Sequence, residues 1–125
     1  MAAALQPSRS LVMATLLILT TLAGCAAQQQ PLYRWGEYEN LVYAMYMKPG
    51  EAEPGVQAQK LRADIERSEA EGKRVPPGVH AQLGYMNYMQ GNEAGAAEQF
   101  AIERQLYPES SAFMTTFIER IQKGS

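Results

Sequence analysis

Few side chains here have the type and spacing to do chemistry. The Cys25 thiol is the only one in 125 residues, and it follows Leu22-Ala23-Gly24, a branched apolar residue and two small ones. Small residues let a peptide lie extended in a peptidase, and a thiolate is the nucleophile that can take up a diacylglyceryl group. His80 is the sole histidine, hence the one side chain whose ordinary pKa suits proton transfer near neutrality. No nucleophile or orienting partner accompanies it, and it falls near the start of a helical segment, so packing is its expected role. Glu37 with Glu39, and Glu51 with Glu53, stand two apart. On a helix that spacing aims the members of each pair at different faces, so neither forms a carboxylate dyad. One cysteine and one histidine also exclude a disulfide framework and a multi-cysteine metal site. The chain is expected to have no catalytic set, no metal and no cofactor beyond a covalent lipid, and not to be an enzyme.

The residues before Cys25 explain what its thiol is for. Arg9 opens a short basic region, an apolar run follows from Leu11 to Leu22, and small residues close it; this is the layout of a secretion signal. The run is twelve residues long, whereas a spanning helix needs about 20. Leu22-Ala23-Gly24-Cys25 then has the form of a bacterial lipobox, with cleavage between Gly24 and Cys25 and lipidation of the new N-terminal cysteine. Ala26 to Pro31, with three glutamines, is a polar tether between lipid and domain. Aspartate after the cysteine is the usual inner-membrane retention signal in enterobacteria, and Ala26 stands there instead. By that likeness the expected location is the outer membrane, on its periplasmic face. The expected division is 1–24 signal peptide, 25–31 lipidated cysteine and tether, and 32–125 helical domain.

Charge narrows the partners. The whole chain has 11 basic and 13 acidic residues; without Arg9 the balance is ten against thirteen. A mature domain near −3 lacks the clustered cationic surface that phosphate binding requires, so nucleic acid is not an expected partner.

Past the tether, Pro and Gly divide the chain into helical blocks with no alternating strand pattern. Between Trp35 and Met47, Tyr38, Leu41, Val42, Met45 and Tyr46 recur at the spacing of one helical face. A second helix over Val56–Glu71 carries a thin stripe of Ala58, Leu61 and Ile65 among alternating charges, which reads as a solvated outer face, and Gly72 stops it. Pro77 to Ser110 spans 34 residues and resembles one tetratricopeptide repeat. Leu83-Gly84, Gly91, Ala96, Phe100 and Pro108 fall at that motif's positions, while Asn87 replaces its tyrosine and Glu103 its small alanine. Gly84 and Ala96 let two antiparallel helices approach, Phe100 fills the space between them, and Pro108 ends the second. A last helix, Ser111 to Lys123, carries Phe113, Phe117, Ile118 and Ile121 on one face, with Ser110 or Ser111 placed to cap it. One repeat cannot bury its faces alone, so the two earlier helices are expected to form a degenerate second pair. The expected fold is all-α, a right-handed tetratricopeptide-like stack of about five helices.

A broader resemblance rests on Leu32-Tyr33-Arg34-Trp35-Gly36-Glu37-Tyr38, on Pro76-Pro77-Gly78 leading to Leu83-Gly84-Tyr85, and on Tyr107-Pro108-Glu109-Ser110. With these the chain resembles a family of small bacterial lipoproteins built on a domain of unknown function. Members are often encoded beside a CsgG-like lipoprotein, so the resemblance implies an envelope assembly and a CsgG-like partner, and no reaction.

In such a hairpin the first helix lines the concave groove, which places Gln82, Tyr85, Tyr88 and Met89 there. Tyrosine and methionine suit recognition of a peptide or helix, and aromatic faces also stack on sugars, so the alternative is peptidoglycan or glycan binding. The same residues serve equally as core if Tyr88 turns inward to replace the tyrosine missing at Asn87. Trp35 is expected to be a buried anchor between tether and first helix.

Overall fold

The computed structural model describes Arg9 and residues 30–124. The Leu11–Leu22 run, the Gly24/Cys25 cleavage and lipidation positions and most of the tether lie outside the described residues. Among the described residues the fold is all-helical, with five α-helices: α1 Tyr38–Met47, α2 Pro54–Ala70, α3 Val79–Met89, α4 Glu93–Leu106 and α5 Ser111–Gly124. The only extended pairing among them is an isolated bridge between Tyr33 and Arg74. No helix among them is long and apolar enough to cross a membrane.

The sharpest boundaries lie where the sequence places glycine. After α3, Gly91 takes φ +75°, a conformation that costs an L side chain energy and glycine none. The chain reverses there with Asn92 N–H donating to Asn87 O and Gly91 N–H to Tyr88 O, both 2.9 Å, a Schellman closure. Asn92 then caps α4, its side chain accepting from Gly95 N–H at 3.0 Å. One residue thus ends α3 and its neighbour starts α4, which makes the hairpin turn tight. Asn92 and Lys73 play the same closing part after their respective helices, Lys73 N–H meeting Ser68 O at 2.9 Å. Pro108 begins a 3-10 turn that runs directly into α5. The expected serine cap is not how α5 starts: the Ser110 hydroxyl donates back to Tyr107 O at 2.7 Å, because the 3-10 turn aims it at that carbonyl.

Each of α2 to α5 packs on the next. One apolar cluster joins Leu41, Ala58, Leu61, Val75, Val79, Leu83 and Met86; another joins Ala96, Phe100, Met114 and Ile121. Between α3 and α4 the approach is close enough that a Cβ on Gly84 would lie 2.7 Å from the Phe100 ring. Phe100 stacks on Phe117 at 5.2 Å between centroids, and Phe117 meets Phe113 edge-on at 4.8 Å.

Two departures from the repeat motif turn out to be buried joints. Asn87 accepts from Arg62 Nη2 at 2.8 Å, tying α3 to α2. Glu103, 2% exposed, accepts from Gly78 N–H at 2.7 Å and Ala81 N–H at 3.3 Å. Those are N–H groups of the first turn of α3 that have no partner within the helix. Asp64 of α2 does the same for α1, its buried carboxylate accepting Glu37 N–H at 2.6 Å. It also pairs with Arg34 at 3.4 Å, and Arg34 bonds Glu71 at 3.0 Å. Those contacts and the Tyr33–Arg74 bridge fasten residues 33–37 to the helices.

Candidate functional site

The open face of the domain is a groove of about 570 Å³ lined from three alternate helices. Tyr38, Met45 and Tyr46 come from α1, Ala81, Gln82, Tyr85 and Met89 from α3, and Phe113, Met114 and Phe117 from α5, with Phe100 of α4 behind them and Gly78 at one end. Helical spacing puts these residues on one face of each helix: 38, 45 and 46 in α1, and 82, 85 and 89 in α3, with Gly78 just before its first turn. Phe100 and Met114 are buried at the floor of the groove, while the others are partly or largely open. Tyr46 is 74% exposed, Met89 53% and Phe113 64%, so large apolar side chains face solvent on a concave surface. The volume lies within the ~300–1,000 Å³ common for ligand sites.

The polar groups at this surface are few. Gln82 Nε2 donates to Met45 Sδ at 3.4 Å. The Tyr38 phenol is held above its ordinary pKa first by burial, then by the Glu103 carboxylate and Tyr46, so it meets the groove as a neutral donor. None of the lining residues is charged.

Of the four residues expected in the groove, Gln82, Tyr85 and Met89 line it. Tyr88 does not: it borders a separate cavity of about 110 Å³ with Tyr85, Phe100, Phe117, Arg120 and Ile121. Nor does Tyr88 turn inward as core, since it is 51% exposed and Asn87 keeps its own buried place. The one-residue step along the helix, about 100°, separates the two roles. Trp35 is likewise no buried anchor; it stands 42% exposed, stacked on Tyr38 at 6.1 Å and edge-on to Tyr33 at 6.0 Å. The Asp64 and Arg34 contacts already fasten this segment, which leaves the indole outside. His80 is buried, its Nδ1 2.8 Å from Gln99 Oε1. Through that bond the ring joins α3 to α4.

Sequence reasoning missed the α1 and α5 contributions to the groove, because Tyr38, Met45, Tyr46, Phe113 and Phe117 read as core stripes. A signal for them exists in the charge: α1 has only Glu39 and α5 none before Glu119, and α3 between them has no Asp, Glu, Lys or Arg at all.

The fold and site therefore define a small helical domain with an uncharged concave face. The chain belongs to the family described as Domain of unknown function (DUF4810), which it matches over residues 32–117. No curated protein and no solved structure matches it.

Proposed function

We propose that this protein is a non-enzymatic scaffold of the bacterial envelope, lipid-anchored through Cys25, whose helices form a tetratricopeptide-like stack that binds another envelope protein. The outer membrane, periplasmic side, is the proposed location, and a CsgG-like lipoprotein is the first partner to test. The observation that carries this reading is the groove: exposed Tyr46, Tyr85, Met89 and Phe113 converge on one concave surface. Isolated exposed apolar residues are ordinary, but contiguous ones on a concave face mark interaction sites.

Two further features support the repeat. Alternate helices line the groove while α2 and α4 stand behind it, as in a stack of helix pairs. Asp64 serves α1 as Glu103 serves α3, each a buried acid of the second helix bonded to the N-terminus of the first, which supports reading α1/α2 as a degenerate, more loosely packed copy of α3/α4.

Affinity purification of the full-length protein from detergent-solubilised envelopes tests the reading. A specific protein is expected to accompany the native chain and to be lost with Tyr85→Ala and Met89→Ala. Recovery of none, or equal recovery with both variants, counts against it. The aromatic rings of Tyr46, Tyr85 and Phe113 also favour a second reading, glycan binding; cosedimentation with purified peptidoglycan tests it, and absence of pelleting removes it.

A further inference from the structure

Charge is divided unevenly between the helices of the groove and those behind it. α3 has none, α1 has only Glu39, and α5 has none before Glu119. α2 by contrast carries three bases and three acids from Lys60 to Glu69, and α4 carries acids and Arg104. The groove therefore offers an occupant no ion pair, and for hydrogen bonds it has little beyond tyrosine hydroxyls and the Gln82 amide, which is already turned to Met45.

Such a surface selects its ligand by what it cannot satisfy. A charged tail entering it would be desolvated without a counter-charge. A sugar would bring several hydroxyls to a lining with few partners. An extended peptide brings one N–H and one C=O per residue, and no sheet edge or row of amides waits to receive them. A helix arrives with its backbone already bonded internally and presents one apolar stripe. Methionines such as Met45 and Met89 adapt to such stripes, and tyrosines supply large, stiff contact area.

From this matched absence of charge we infer that the groove holds the apolar stripe of an amphipathic α-helix belonging to another envelope protein. The inference rests on the reading of the groove as a protein-binding site and adds the conformation and chemistry of what it binds. The partner segment carries aliphatic or aromatic residues at i, i+3 or i+4, and i+7, with its charges turned away from the groove.

Site-specific photocrosslinking separates the inference from the reading beneath it. p-Benzoylphenylalanine is placed at Tyr46, Met89 or Phe113 of the full-length chain in its own membrane, and adducts are mapped by mass spectrometry. Adducts on one protein segment at apolar residues three, four or seven apart are the expected result. Adducts at consecutive or alternating residues of a protein segment overturn the helix and leave the protein-binding reading standing. Adducts confined to glycan or lipid, or none from any of the three positions, overturn both.

Discussion

Glu103, on the second helix of the α3/α4 hairpin, accepts the Gly78 N–H at 2.7 Å and so closes the start of the first helix. Gly78 sits at φ +92°, and a Cβ there would lie 2.5 Å from the Tyr38 hydroxyl, so the carboxylate meets bare backbone beneath Tyr38. A buried anion at a helix N-terminus gains from both the free N–H groups and the helix dipole. Glu103→Ala would restore the residue that the repeat motif prefers at this position, yet it strands two N–H groups. Hydrogen bonds to charged groups are worth about 1.5–3 kcal/mol, and a loss of about that size is expected in urea denaturation. Glu103→Gln keeps one acceptor and should recover part of it.

Gln57 points the other way. It is 2% exposed, and among the described residues neither its Oε1 nor its Nε2 has a hydrogen-bond partner. A buried amide without partners costs about 1–3 kcal/mol. Gln57→Met conserves the shape and removes the polar atoms, so it should stabilise the fold. A gain of 1 kcal/mol would raise Tm by about 4–8 °C in a domain of this size.

Tyr107 contributes to the alkaline limit. It is buried, donates its hydroxyl to Val75 O, and its pKa is pushed up to about 12 by burial first and Tyr33 next, against the opposing Arg74. The raised pKa means that below the ordinary value near 10 its contribution is intact. As pH climbs from 10 towards 12 the unfolded chain ionises and the folded one does not, so stability falls. The slope from this group is at most about 1.4 kcal/mol per pH unit. Tyr107→Phe should be less stable than the native protein at pH 7, through the lost bond to Val75, and should show a shallower decline above pH 10 in thermal melts.

Those joints also show where sequence reasoning stops. The order of helices is readable because Gly72, Gly91 and Pro108 punctuate it, and Leu83, Gly84, Ala96 and Phe100 announce a close-packed hairpin whatever surrounds it. Asp64, Asn87 and Glu103 give no such notice. A polar residue on a helix reads as solvated unless its partner is known, and theirs lie 27, 25 and 25 residues away. The groove was half readable for a related reason. Gln82, Tyr85 and Met89 follow from the register of one hairpin, whereas Tyr46 and Phe113 join them only through the placement of α1 and α5. Apolar stripes look alike whether a neighbouring helix covers them or leaves them open.

Tyr85 and Tyr88 make a paired test of the groove. Both are partly exposed tyrosines on α3, but only Tyr85 lines the larger cavity. Exposed substitutions usually change stability by no more than about 0.5 kcal/mol, so both alanine variants should fold. Tyr85→Ala should weaken partner capture at least tenfold, which corresponds to about 1.4 kcal/mol, and Tyr88→Ala should weaken it much less. Equal losses in quantitative pull-downs would move the binding surface away from the groove.

The proposed anchor can be tested without touching the domain. Pro31 stands six residue steps after Cys25, a stretch that fully extended reaches only about 20 Å. A lipid on Cys25 would therefore hold Pro31 within about that distance of the membrane surface, where an envelope partner would be concentrated by the same confinement. Cys25→Ser removes the nucleophile and changes nothing between Pro31 and Gly124. The expected outcome is loss of globomycin-sensitive processing and loss of membrane fractionation, with the helical circular dichroism and the melting curve of the domain unchanged. Partner binding by the soluble variant should persist at high protein concentration and fade at the native level. Retention of Cys25→Ser in the membrane fraction would show that something other than the lipid holds the protein there.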